Sequence, residues 1–72
     1  DLIQQAEAYF LLGLIAFAQR QFSQAEIQWR KVMYLVPEHA LALRYLSLLE
    51  QQGHAGQSQH WQTRWQRVSG QV

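Results

Sequence analysis

The chain has 72 residues, a formal net charge of +1 and no cysteine. This length excludes a Rossmann domain, a β/α barrel and most complete enzymes, which need much longer chains. Without cysteine there is no disulfide, thiolate nucleophile or cysteine zinc site, and a nearly neutral charge gives no long-range attraction to nucleic acid or acidic membranes.

The composition predicts helices throughout. The 13 glutamines tolerate helix interiors, asparagine is absent, and no segment alternates with period two as a strand would. Residues 2–20 are predicted to form the first helix and residues 23–36 the second. Ser23 and Glu26 have the spacing of a capping box, in which each side chain satisfies the other's backbone N–H at the start of the second helix.

Proline and glycine set the predicted limits of the remaining helices. Pro37 disfavours the α conformation at the preceding residue and so ends the second helix. Pro37 also suits the first turn of a third helix, where Glu38 would interact favourably with the helix dipole. That helix is predicted to run to about Gln52. Gly53, with Ala55 and Gly56, predicts a turn before a fourth helix at about residues 57–68.

The first two predicted helices contain small and aromatic residues at characteristic spacings, namely Tyr9, Leu12, Gly13, Ala16, Ala25, Trp29 and Pro37. The pattern resembles the tetratricopeptide repeat, a helix-turn-helix unit. Gly13 and Ala25 are expected to let the two helices approach closely, while Trp29 fills the space where they diverge. The resemblance implies an all-α fold of two antiparallel hairpins stacked as a short right-handed solenoid.

A second, degenerate repeat is predicted to follow the first. Repeat 1 covers about residues 6–39 and repeat 2 about residues 40–70 of a single domain fragment, residues 1–72. The positions of the first-repeat motif recur in the third helix as Leu43, Leu46 and Ser47. The fourth helix departs from the motif and carries one apolar stripe, formed by Ser58, Trp61, Trp65, Val68 and Val72, opposite a glutamine-rich face. Such a helix is expected to cap the solenoid.

Two segments carry a narrower resemblance. Residues 10–14 and residues 31–43, which include the ending Tyr34-Leu-Val-Pro37, are similar to the C-terminal repeats of bacterial chemoreceptor glutamate methyltransferases. This resemblance implies a cytoplasmic signalling protein whose upstream domain uses S-adenosylmethionine. It also implies a protein or peptide partner, which could be a chemoreceptor or another copy of the protein. Because the pattern begins abruptly at Asp1, we expect the chain to be part of a longer protein.

The first helix is apolar on every side, so it should be covered on every side, which two hairpins alone cannot do. By the resemblance, part of it faces the concave groove of a repeat array, and the third helix extends that groove. The predicted partner-binding residues are Phe10, Leu14, Phe17, Arg44, Tyr45 and Leu48. The alternative is that another helix of the parent chain covers this face.

The sequence offers no pattern that predicts a catalytic or cofactor-binding site in this chain. His39, His54 and His60 lack metal-ligand spacing, and no glycine-rich nucleotide loop is present. We therefore expect no catalytic, cofactor or metal site, no enzymatic activity and no binding of S-adenosylmethionine. The apolar run is too short for membrane insertion.

Three functions remain open from the sequence. The first is a protein-interaction module, and the second is a domain that self-associates or regulates a linked catalytic domain. The third is nucleic-acid binding by the fourth helix, through Arg64 and Arg67 beside Trp61 and Trp65. The third is the least favoured, because the two tryptophans share one stripe and are expected to pack on the third helix.

Overall fold

The computed structural model describes residues 1–53 and 61–69. Over these ranges all the regular structure is helical, as the composition predicted. The helices are α1 (Leu2–Ala18), α2 (Phe22–Leu35), α3 (Ala40–Gln51) and α4 (Trp61–Ser69).

Helix α1 begins with a side-chain cap and ends in a tight turn. The Asp1 carboxylate accepts hydrogen bonds from the backbone N–H groups of Ile3 and Gln4, at 2.7 and 3.1 Å. This satisfies two donors that a helix start leaves unpaired. At the other end Arg20 adopts a left-handed conformation with φ of 60°, which turns the chain into α2 within a few residues.

The predicted capping box is wrong. Helix α2 begins at Phe22, and its N-cap is Gln21, whose side chain makes no capping hydrogen bond. Ser23 therefore lies inside the first helical turn, where it cannot act as the N-cap, and Glu26 is buried on the inner side of the helix. The predicted end is confirmed, because Val36 leaves the helix with φ of −134° and ψ of 86°, as a residue before proline should.

The start of α3 also differs from the prediction. Pro37 and Glu38 lie in the turn before the helix, and His39 is the N-cap. The Nδ1 atom of His39 accepts a hydrogen bond from the backbone N–H of Ala42 at 3.1 Å. Histidine is not among the preferred N-cap residues, so residue preference alone does not predict this start. The predicted end is confirmed, since α3 stops at Gln51 and Gly53 follows in a turn with φ of 77°.

Helix α4 is capped from α3. The two carboxylate oxygens of Glu50 each accept a hydrogen bond, from the backbone N–H groups of Trp61 and Gln62, both at 3.2 Å. The predicted start of this helix at residue 57 lies outside the described residues. The same holds for Ala55 and Gly56 of the predicted turn, and for Ser58 and Val72 of the predicted stripe.

The helices pack mainly between neighbours in sequence, α1 on α2 and α3 on α4, with α2 also contacting α3. The largest fully buried side chains come from α2 and α3, namely Trp29, Val32, Leu43, Leu46 and Leu49. Trp61 of α4 joins the same core. The core is thus one apolar layer shared by the helices, centred on α2 and α3.

Gly13 is the point of closest packing that the structure describes between α1 and α2. It is buried against the indole of Trp29, whose atoms are the nearest to a Cβ atom built at Gly13. Both Gly13 and Ala25 are buried, as expected. The indole of Trp29 therefore lies directly beside the glycine.

One side of α1 is open to solvent. Leu11, Leu12 and Ile15 are 56%, 49% and 55% exposed. Leu12, which the sequence pattern places on the stripe toward α2, lines a depression with Gln24 and Gln28 of that helix but is half exposed. The uncovered side agrees with the expectation that two hairpins alone cannot cover α1. The reason is geometric, since α2 and α3 together reach only part of the α1 surface.

Candidate protein-interaction surface

Phe10 belongs to the core and not to a surface groove. It is 6% exposed, and its ring centroid lies 5.8 Å from that of Tyr45 and 5.2 Å from that of His39. Both partners come from the start and first turns of α3. Since α3 covers Phe10, its predicted exposure to a partner is corrected by the structure.

Phe17 and Tyr45 continue this aromatic cluster toward the surface. Their ring centroids are 6.1 Å apart in an edge-to-face arrangement, and Tyr45 also lies 5.0 Å from Trp29. Phe22 closes the cluster at the α1–α2 turn, 5.5 Å from Phe17. Such aromatic pairs add to the stabilisation that burial alone provides. Phe17 and Tyr45 are half-buried and pack against the core, so part of each side chain is accessible to solvent.

The position of Trp29 is fixed by a hydrogen bond as well as by packing. Its indole N–H donates to the backbone carbonyl of Phe10 at 3.2 Å. This bond spans the two helices of the first hairpin and orients the ring against which Phe17 and Tyr45 pack. Leu14, one turn before Phe17 along α1, is half-buried on the same core. Leu14, Phe17 and Tyr45 therefore pack on a core in which the Trp29 ring is held in place.

Arg44 and Leu48 line a cleft of about 350 Å³ between α3 and α4. Its walls are Arg44, Ser47, Leu48, Gln51, Gln62, Trp65 and Gln66. Tyr45 and Leu48 are one turn apart on α3, so the cleft continues the aromatic surface. Five of the six predicted residues thus lie along one path, from α1 across α3 to the edge of α4.

Charge along this path is positive. Arg44 is exposed and makes no ion pair with the residues that the structure describes. Three of the carboxylates are engaged elsewhere: Asp1 and Glu50 cap helices, and Glu7 is hydrogen-bonded to His39. The open guanidinium is available to a carboxylate, with glutamine amides beside it as neutral donors and acceptors.

The cleft residues on α4 were missed by sequence reasoning. The sequence pattern places Trp65 on an apolar stripe with Trp61, and spacing alone cannot tell which of the two is covered. In the structure Trp61 is 4% exposed, while Trp65 is half-buried and lines the cleft. The Arg64 guanidinium lies over the ring of the buried Trp61, 4.7 Å from its centroid. Trp61 is thus unsuited to stacking on a nucleic-acid base. This agrees with the prediction that it packs on the third helix.

His39 links the start of α3 to α1 and has a structural role. His39 Nε2 lies 2.8 Å from Glu7 Oε1. Because Nδ1 already accepts from Ala42, the proton belongs on Nε2, which donates to Glu7. Among residues 1–53 and 61–69, no three histidine, cysteine or acidic side chains are grouped as a metal site would require. His54 and His60 lie outside the described residues.

The described helices also include none long and apolar enough to cross a bilayer. Comparison of the chain with protein-family models, with curated proteins and with solved structures gave no match. The geometry of the surface is therefore the basis for assigning a function.

Proposed function

We propose that this chain is a protein-interaction module whose groove binds a helical or extended segment of a partner. The groove consists of Leu14, Phe17, Arg44, Tyr45 and Leu48. One observation carries the proposal: half-buried apolar side chains of α1 and α3 rest on a rigid aromatic base and lead into the α3–α4 cleft. Aromatic residues beside an arginine are the types that dominate binding energy at interfaces.

The fold that we propose is a pair of tetratricopeptide hairpins stacked as a short right-handed solenoid, with α4 as the capping helix. Two features support it. Gly13 lets the α2 indole approach α1 closely, and the contacts of α1 with α2 and α3 with α4 are those of successive hairpins. A groove that runs across the first helix of each hairpin is where such an array presents side chains to a ligand.

The chemistry of the groove defines the ligand. Apolar side chains of the partner would cover Leu14, Tyr45 and Leu48, and one carboxylate would meet Arg44. By the resemblance to chemoreceptor methyltransferases, the source is a cytoplasmic receptor, and the chain serves a catalytic domain elsewhere in its parent protein. The alternative sources are a second copy of this chain and the linked catalytic domain itself.

The test compares charge substitutions inside and outside the groove. The probe is a synthetic amphipathic helix with leucines on one stripe and a single glutamate at its edge. Leu48→Glu and Arg44→Glu should each weaken binding by about tenfold or more, the effect of losing one interfacial anchor. Arg64→Glu, which changes the net charge as Arg44→Glu does, should have little effect.

Leu14→Glu adds a readout that separates the groove from the core. It should abolish binding and any self-association while the helical circular dichroism is kept. If the Leu14→Glu chain unfolds even when it is monomeric, Leu14 is a core residue. The binding of the Leu48→Glu and Arg44→Glu variants then tests the groove. Unchanged affinity in these last two variants would contradict the proposed groove.

A further inference from the structure

The outer face of α2 is a second exposed surface that combines apolar and positively charged side chains. It consists of Ile27, Arg30, Lys31 and Tyr34, whose spacing places them on one stripe. Ile27 is 43% exposed and Tyr34 88% exposed. An aromatic ring this exposed loses much of the stabilisation that its burial would give. The stripe is on the side of α2 away from the groove, so it forms a separate surface.

The outer face of α2 carries two shallow depressions that are open to solvent. A depression of about 310 Å³ is lined by all four of its residues. A second, of about 190 Å³, lies between α1 and α2, where Gln5, Tyr9 and Leu35 join Lys31 and Tyr34. The Lys31 ammonium sits 5.2 Å from the Tyr9 ring centroid, which places its charge at the edge of this depression. Each depression therefore combines apolar walls with a cation.

The charge of this face has no counterpart among the described residues. Arg30 and Lys31 make no ion pair with any residue that the structure describes. Of the five acidic residues, Asp1, Glu7 and Glu50 hold helix starts or His39, and Glu26 is buried. Glu38 is exposed in the turn before α3. The four residues of the outer face of α2 thus present two cations and no anion.

We propose that the outer face of α2 docks an acidic amphipathic segment of another protein. Its apolar side chains would enter the two depressions beside Tyr34, and its carboxylates would face Arg30 and Lys31. Opposite charges across an interface favour encounter and fix its register. A second copy docked through the same face would bring like charges together, which is unfavourable. An anionic membrane is also a poor match, because clusters of about 4–8 cations are typical of lipid-binding segments.

The experiment uses a fluorescent synthetic helix of about 15 residues, enough for a marginally stable helix, with leucines on one stripe and glutamates flanking it. Fluorescence anisotropy gives its affinity for the 72-residue chain and its variants. Arg30→Glu should weaken binding by about tenfold or more. Arg67→Glu, an equal change of net charge on the exposed side of α4, should weaken it by no more than about twofold. Tyr34→Ser should also weaken binding, at unchanged net charge.

Each result distinguishes this site from the groove. Loss of binding in Arg44→Glu, with Arg30→Glu unaffected, would place the acidic helix in the groove and overturn this proposal alone. Equal losses in Arg30→Glu and Arg67→Glu would show attraction to net charge only, and no binding of the acidic helix would also contradict docking. Vesicles of phosphatidylserine and phosphatidylcholine provide the last arm. Vesicle binding that Arg30→Glu removes, without binding of the helix, would assign the face to a membrane instead.

Discussion

Gly13 and Trp29 are in van der Waals contact with no room for a side chain between them. A Cβ atom built on Gly13 would lie 2.6 Å from Cε2 of the indole, closer than packed atoms approach. Trp29 cannot move away easily, since it is fully buried and its N–H is bonded to the Phe10 carbonyl. A side chain at position 13 would therefore have to push the indole or the two helices apart.

The first prediction concerns Gly13→Ala. Alanine is favoured over glycine in a helix interior by about 1 kcal/mol, so propensity alone would stabilise the variant. Overpacking a rigid core costs about 1–3 kcal/mol and sometimes more. We therefore expect the steric overlap with Trp29 to outweigh the gain in helix propensity. Urea denaturation should show a lower free energy of unfolding, and Gly13→Leu should lower it further.

Gln4→Ala is the matched control for Gly13→Ala, because Gln4 is exposed on the same helix. It should change stability by less than about 0.5 kcal/mol, as surface substitutions usually do. A Gly13→Ala chain as stable as Gln4→Ala would mean that the indole is not held against α1, and the close packing of the first hairpin would be incorrect.

The motif predicted the importance of Gly13 and Trp29 but not their mutual contact. A small residue in a helix predicts close approach, and a buried tryptophan predicts a large space. Which large residue lies over which small one depends on the rotation of each helix about its axis. That rotation is set by packing with α3, which the spacing within the first hairpin does not contain. The helix order was predictable because proline, glycine and helical period act locally.

The second prediction concerns the two hydrogen bonds of His39. The side chain of Glu7 is 56% exposed, so its pair with His39 is expected to contribute little. The hydrogen bond that the Ala42 N–H donates to Nδ1 is the N-cap bond of α3 and should contribute about 1 kcal/mol. We expect His39→Ala to destabilise the chain by about that amount and Glu7→Ala by less than half of it.

His39→Asn separates the two bonds, because asparagine is a good N-cap but too short to reach Glu7 in the same way. Thermal melts should place it close to the parent chain and well above His39→Ala. If His39→Asn were as unstable as His39→Ala, the contacts of the imidazole with Glu7 and Phe10 would outweigh the cap.

The third prediction concerns Glu50, which links α3 to the start of α4. Glu50→Ala removes the acceptor for the Trp61 and Gln62 N–H groups and the negative charge at the helix N-terminus. We expect faster amide hydrogen exchange throughout α4 and unchanged exchange in α1. Glu50→Gln keeps one acceptor oxygen and should give an intermediate effect. Exchange in α4 that is unchanged by Glu50→Ala would show that packing of Trp61 alone holds this helix.

The candidate site was predictable only in part. Leu14, Phe17 and Tyr45 lie at the surface as half-buried residues, whereas Phe10, at the same helical spacing, is covered by α3. A helix that is apolar on every side gives no periodicity from which its buried face can be inferred. Phe10 and Phe17 both contact Tyr45, and Phe10 is also covered by His39. These contacts depend on the position of α3, which lies far along the chain.

The last prediction concerns the open side of α1, where Leu11 and Ile15 are more than half exposed. Replacing either residue with glutamine removes no core contact in the monomer, so Leu11→Gln and Ile15→Gln should keep the free energy of unfolding within about 0.5 kcal/mol of the parent. Exposed apolar patches favour association, so both variants should be more monomeric in sedimentation equilibrium. Leu43→Ala, a core truncation, is the contrast and should cost about 2–5 kcal/mol. A marked loss of stability in Ile15→Gln that grows with protein concentration would show that an associated copy covers this side of α1. A loss independent of concentration would instead contradict the exposure of Ile15.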